Sequence, residues 1–80
     1  MKILRMPDVL AETGHRSHAS IYNAIRDGCF TKPVRIGSRS VGWPLDEVEA
    51  INAALIAGKT KAEVQALVHG LQCKRLKVAD

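Results

Sequence analysis

PDVLAETGHRSHASIYNAIRDG, residues 7–28, predicts two short helices joined by a tight turn. Pro7 suits the first turn of a helix, where its missing N–H costs no hydrogen bond, and Gly14 is a typical C-terminal cap. Ser17 can cap the second helix with its hydroxyl group, and Gly28 ends that helix. The spacing is that of a helix-turn-helix.

The second helix has a narrow apolar face opposite a face of small polar residues. On a helical wheel Ile21, Ala24 and Ile25 fall together, which predicts the side that packs on the first helix. The other face carries groups that can hydrogen-bond to base edges in the major groove of DNA. These residues are Ser20, Asn23 and Arg26. From the helices alone, a plain helical hairpin with a solvated face is an equal alternative.

A β-hairpin is predicted directly after the second helix, in KPVRIGSRSVGW, residues 32–43. Val34 and Ile36 alternate with Arg35, and Val41 precedes Trp43 by two residues, on either side of a turn-rich GSRS segment. A hairpin in this position is typical of a winged helix and favours DNA binding. The tip offers one cation and two hydroxyl groups to a phosphate backbone, from Arg39, Ser38 and Ser40.

Two further helices are predicted after the hairpin. The first follows Pro44, has an acidic first turn and ends at Gly58. Its apolar residues recur at helical spacing, at Leu45, Val48, Ile51 and Leu55. The second should run from about residue 61 to the mid-70s, behind a Thr60–Glu63 capping box, before a basic tail that frays.

The last helix carries the cleanest amphipathic pattern in the chain. Its apolar stripe consists of Val64, Leu67, Val68 and Leu71. This stripe can pack on the domain's own core or on a second copy of the chain, and we favour the homodimer slightly. Residues 1–58 are therefore expected to form a winged helix-turn-helix domain, and residues 59–80 a helix for packing or dimerisation with a basic tail.

Composition favours a small DNA-binding protein over an enzyme. The chain has 80 residues and a formal net charge of +4, which suits a polyanionic partner such as double-stranded DNA. No apolar run is long enough for a signal peptide or a membrane span, so a cytoplasmic, nucleoid-associated protein without a membrane partner is expected. No catalytic motif is present, and so small a chain has little protein to line a deep cleft.

Histidine and cysteine spacing suggests a metal site only weakly. His15 and His18 are three residues apart, and His69 and Cys73 are four apart, but these pairs lie in different predicted elements. There is no C-x-x-C pair, and Cys29 stands alone. We therefore expect no metal and no cofactor.

The order of motifs resembles the AlpA-type regulatory proteins of phages and prophages. The similarity is carried by LRMPDVLAETG, SIYNAIRDGCFTKPVRIG and VGWPLDEVEAI, within residues 4–57, and extends to about residue 72. The resemblance implies a mainly α winged helix-turn-helix similar to the MerR and excisionase group. Members of this family are small DNA-binding proteins of mobile elements, some of which activate an integrase gene.

The resemblance implies a regulator whose segment from Ser17 to Arg26 enters the major groove. His18 and Tyr22 would flank the base-facing residues, while Arg16 and Arg35 would contact phosphates. Between TG and IY this chain is one residue longer than many members, and His15 replaces a usual apolar residue. The alternatives are an excisionase-like DNA-bending recombination directionality factor, which would use the same residues, and a protein-interaction module built on the last helix.

Overall fold

Four helices and three short strands make up the part of the chain that the computed structural model describes, residues 2–79, with side chains for residues 2–75. In chain order they are β1 (Ile3–Leu4), α1 (Met6–Thr13), α2 (His18–Arg26), β2 (Val34–Arg35), β3 (Val41–Pro44), α3 (Leu45–Ile56) and α4 (Lys61–Ala79). The expected mainly helical fold, with a helix-turn-helix, a hairpin wing and an added C-terminal helix, is confirmed. Asp80, the last residue of the predicted tail, lies outside the described residues.

Local capping defines the helix-turn-helix. Gly14 has φ of 77°, and its backbone N–H donates to the Leu10 carbonyl, which ends α1. The Ser17 hydroxyl accepts a hydrogen bond from the Ser20 backbone N–H at 3.3 Å, which begins α2. Both predicted caps are confirmed, so only a short turn separates the two helices.

The predicted hairpin is part of a three-stranded antiparallel sheet of order β1-β3-β2. β2 is shorter than expected, because Ile36 lies outside it and donates its backbone N–H to the Ser40 carbonyl at 3.0 Å. This bond closes a loop of residues 36–40, the wing loop. On the other side of β3, β1 pairs Leu4 with Trp43. No local pattern in the sequence predicts this partner.

A buried tryptophan lies at the centre of the core. Trp43 on β3 is fully buried, and its indole Nε1–H donates to the Thr31 carbonyl at 2.8 Å. Its ring lies 6.0 Å from that of Phe30, centroid to centroid. The rest of the core is aliphatic: Leu4, Val9, Ile21, Val48, Ile51, Val64 and Val68. The sheet, both helices of the helix-turn-helix and α3 and α4 all contribute to this core.

The apolar residues that recur along α3 are not all in the core. Val48 and Ile51 are buried, but Leu55 is 55% exposed. Leu55 lies in the last turn of α3, where it lines a cleft together with Thr13 of α1 and Ala24 of α2.

The position of α4 bears on the two packing arrangements that the sequence left open for its apolar stripe. Its capping box forms as predicted, since Thr60 N–H donates to Glu63 Oε1 at 2.9 Å and Glu63 N–H to Thr60 Oγ1 at 3.2 Å. The apolar stripe, however, packs on the chain's own core. Val64 and Val68 are buried there, and Leu67 and Leu71 pack against them. A second copy would have to displace this packing to reach the stripe.

The basic end of α4 is helical up to Ala79, a few residues beyond the expected end in the mid-70s. Arg75 forms a two-pronged ion pair with the buried Glu47 on α3, with Nε and Oε2 2.8 Å apart. Such an anchor, together with basic residues near a helix C-terminus, favours continuation of the helix. Among the described residues, no helix has both the length and the apolar character needed to cross a membrane.

We predict that Trp43→Phe lowers the free energy of unfolding by about 2 to 4 kcal/mol. The change leaves a gap in the core and removes the indole donor from the Thr31 carbonyl, and both effects are costly in a buried site. Because Trp43 is the sole tryptophan, unfolding in urea should be followed by circular dichroism and not by fluorescence.

Thr31→Val provides the matched control for this prediction. Thr31 is fully buried, and no described protein group hydrogen-bonds its hydroxyl. The substitution keeps the carbonyl that accepts from Trp43, so the free energy of unfolding should stay the same or rise. A Trp43→Phe variant as stable as the Thr31→Val variant would contradict the central role of the indole bond.

Candidate nucleic-acid interface

Four exposed residues of α2 lie at helical spacing and form a ridge. They are Ala19, Tyr22, Asn23 and Arg26, at positions i, i+3, i+4 and i+7, and all four are exposed. On the opposite side Ile21 is fully buried, with Ala24 and Ile25 packed beside it. The narrow apolar face packs against the core, and the ridge (hereafter the α2 ridge) is exposed to solvent.

Ser20 does not belong to the α2 ridge. It is half-buried, and its hydroxyl lies 2.6 Å from His15 Nδ1, a hydrogen bond whose direction depends on the histidine tautomer. The prediction that Ser20 faces bases therefore does not fit its position. His15, which occupies the longer turn, uses this hydroxyl to join the turn to α2.

The turn also leaves an arginine and a histidine side chain exposed to solvent. Arg16 and His18 are exposed, on either side of Ser17. The Ser17 hydroxyl caps the N-terminus of α2, so it already has a hydrogen-bond partner within the helix. Arg16 and His18 are the side chains at this end of α2 that are available to a partner.

The wing carries the second group of predicted residues. Arg35 on β2 is exposed, as are Ser38 and Arg39 in the wing loop. Ser40 is half-buried, and its hydroxyl accepts a hydrogen bond from Arg5 Nη2 at 3.3 Å. The loop tip thus presents Ser38 and Arg39, while Ser40 contacts the segment between β1 and α1.

Arg5 is a candidate residue that the sequence pattern did not reveal. It lies between β1 and α1, far from the wing in the chain, and the pairing of β1 with β3 brings it there. Its positive charge was the one feature of the sequence that could have suggested a role, because no local pattern indicates which strand pairs with β1.

Exposed arginines give the two groups a shared electrostatic character. They are Arg5, Arg16, Arg26, Arg35 and Arg39. Within residues 2–75, where side chains are described, none of them forms an ion pair; the pairs seen there are Lys59–Glu63 and Arg75–Glu47. Guanidinium groups without a carboxylate partner can donate to phosphate oxygens or base edges without first breaking an ion pair.

The histidines and cysteines do not come together as a metal site in the described residues. His69 Nε2 and Cys73 Sγ are 3.6 Å apart on α4, and His15 contacts Ser20. No cluster of three or more His, Cys, Asp or Glu side chains able to hold a metal ion is found in this part of the chain.

Comparison with known proteins identifies the family. The model of the prophage CP4-57 regulatory protein (AlpA) family matches residues 2–50, which run from β1 into α3. This match covers more than half of the chain, and the chain therefore belongs to the AlpA family. No curated protein and no solved structure matches the chain. The last part of α3 and all of α4 lie outside the matched residues.

We predict that His15 and Ser20 are energetically coupled. His15→Ala, Ser20→Ala and the double variant form a cycle in which the shared hydrogen bond should give a coupling energy of about 1 kcal/mol in urea unfolding. If the effects of the two single variants on the free energy of unfolding are additive, the contact contributes nothing to stability. The Ser20 hydroxyl would then be available to bind a partner.

Proposed function

We propose that this AlpA-family chain is a sequence-specific DNA-binding transcriptional regulator of a phage or other mobile element. The observation that carries the proposal is the α2 ridge, which displays an amide and a guanidinium group on the second helix of a helix-turn-helix. The cationic wing beside it supports the same function, because wing and helix together can contact a groove and its backbone.

In this proposal α2 lies in the major groove. With its side chains an α-helix is about 10–12 Å across, which fits the ~12 Å width of the major groove. Asn23 can make two hydrogen bonds to adenine and Arg26 two to guanine, which would read the sequence. Tyr22 and His18 flank them and suit phosphate oxygens. Ser20 is left out of the base contacts because His15 uses its hydroxyl.

Phosphate contacts are assigned to the wing and the turn. Arg35, Ser38 and Arg39 would donate to the backbone on one side of α2, and Arg16 on the other. Arg5 would reach the same backbone while its contact with Ser40 steadies the wing loop. Binding of chromosomal DNA in this way would make the protein nucleoid-associated.

Selection of bound sequences from a random pool of DNA duplexes tests the proposal directly. Enrichment of a defined sequence supports it, and a palindrome would indicate a symmetric dimer on DNA. Binding that enriches no sequence, or no binding at low salt, would overturn it. DNA bending at the selected site, measured by fluorescence energy transfer between labelled ends, would favour an excisionase-like factor over a promoter regulator.

We predict that Asn23→Ala and Arg26→Ala each weaken binding to the selected duplex by about 1 to 3 kcal/mol and relax the preference at one base pair. The measurement is fluorescence anisotropy on the selected duplex and on duplexes with single base-pair changes. Ser20→Ala is the control, since its hydroxyl faces His15 and its loss should leave base preference unchanged. An equal loss of preference in the Ser20→Ala variant would contradict the assignment of the α2 ridge.

We predict that Arg39→Ala weakens binding to all sequences alike and lowers the slope of log affinity against log salt by about one unit. The reason is the loss of a single phosphate contact and of the counterion that it releases. Titrations at several salt concentrations measure the slope.

Lys61→Ala is the matched control for charge. It also removes one exposed cation, but from the first turn of α4, outside the ridge and the wing loop. A slope that falls equally in both variants would show that only net charge matters and that Arg39 makes no local contact.

A further inference from the structure

The segment between α2 and β2, residues 27–33, is held at both ends by polar side chains of α4. We call this segment the connector. It joins the α2 ridge to the wing, and it contains neither helix nor strand. The matched family residues end before α4, so the contacts described next are made by a part of the chain that the family model does not cover.

Gln65 holds the first end of the connector. Its Nε2 donates to the Asp27 carbonyl at 2.7 Å, and Asp27 is the C-terminal cap of α2. The last carbonyls of a helix lack partners within the helix, so an outside donor satisfies one of them. The Gln65 side chain also covers Gly28, whose φ of 78° turns the chain out of α2; a Cβ there would lie 3.6 Å from Gln65 Cγ.

Gln72 holds the other end. Its Oε1 accepts the Lys32 backbone N–H at 2.8 Å. The preceding residue, Thr31, is bonded through its carbonyl to the Trp43 indole, and the following residue, Pro33, leads into β2. The entry to the wing is therefore fixed from two directions, by β3 and by α4.

The two glutamines act from one rigid support. They are seven residues apart, which places them on the same side of α4, two turns or about 10 Å from each other. Val64 and Val68 fix this helix in the core, and the Arg75–Glu47 ion pair fixes its second half to α3. Neither glutamine is part of that anchoring, so each can be changed while α4 stays in place.

We infer that Gln65 and Gln72 are positioning residues for DNA recognition, which set the separation of the α2 ridge from the wing. The inference rests on the proposed DNA-binding function. A site that contacts bases with α2 and the phosphate backbone with the wing requires a fixed distance between these two surfaces, so that both fit the DNA at the same time. A connector already held at both ends has less conformational freedom to lose on binding, which raises the affinity for the sequence that both surfaces fit.

The test compares two duplexes, the selected sequence and a random sequence of equal length, for glutamine variants of the full chain. Gln65→Ala and Gln72→Ala should each lower affinity for the selected duplex about 3- to 10-fold, the usual effect of one lost hydrogen bond. Affinity for the random duplex, which depends mainly on charge, should change by less than about 2-fold. The readout is the ratio of the two affinities.

Glutamate replacements separate positioning from packing. Gln72→Glu keeps an acceptor for the Lys32 N–H, so the affinity ratio should stay near that of the unchanged protein even though the added negative charge weakens both complexes. Gln65→Glu removes the donor and sets a carboxylate against the Asp27 carbonyl, so its ratio should fall. The same substitution should therefore leave the affinity ratio unchanged at position 72 and lower it at position 65.

Amide hydrogen exchange of Lys32 gives a readout that needs no DNA. Exchange should accelerate in Gln72→Ala and return towards the original rate in Gln72→Glu. Unchanged exchange, or affinity ratios that stay constant in both alanine variants, would overturn the inference. A different result would separate this inference from the proposed function. If the unchanged protein does not distinguish the two duplexes, the proposed sequence-specific function is wrong. The hydrogen bond between Lys32 and Gln72 would still be supported if Lys32 exchange responds as expected.

Discussion

The hydrogen bond from the Trp43 indole to the Thr31 carbonyl is the constraint on which the arrangement of the surface depends. It joins the central strand of the sheet to the connector, within a fully buried site where an unpaired indole N–H or carbonyl would be costly. With β3 fixed in this way, β1 on one side and β2 on the other take their positions, and the wing follows. The side chains of the candidate DNA interface themselves contribute little to the core.

The helices α2 and α4 use their side chains in different ways. α2 keeps one fully buried residue, Ile21, and leaves Tyr22, Asn23 and Arg26 exposed. α4 does the opposite, since its apolar stripe is used inside the domain and its polar residues brace other elements. The amphipathic pattern of α4 in the sequence is also typical of a dimer interface, but here its apolar face is buried in the core. A small domain buries little surface on folding, so each apolar face that it buries matters for its stability.

Local signals in the sequence predicted most of the elements, and long-range contacts account for what was missed. Gly14, Ser17 and the Thr60–Glu63 pair act within one turn of the chain, so their caps could be predicted from neighbouring residues alone. The pairing of Leu4 with Trp43 and the bond from Gln72 to Lys32 join residues about 40 apart, and no local pattern encodes such partners. The candidate site follows the same rule: Asn23 and Arg26 are exposed on α2 as expected, whereas the contact of Ser20 with His15 and the placement of Arg5 beside the wing were not predicted.

The pairing of β1 with β3 has a consequence for how the molecule forms. Gly42 lets the two strands approach closely, because a Cβ there would lie 2.5 Å from Ile3 Cγ2 and 2.9 Å from the Leu4 carbonyl oxygen. During synthesis α1 and α2 can form from local contacts, but β1 must wait for residues 41–44 before it gains a partner. Because β3 pairs with both β1 and β2, the N-terminal segment and the wing can enter the same sheet only after β3 has been made.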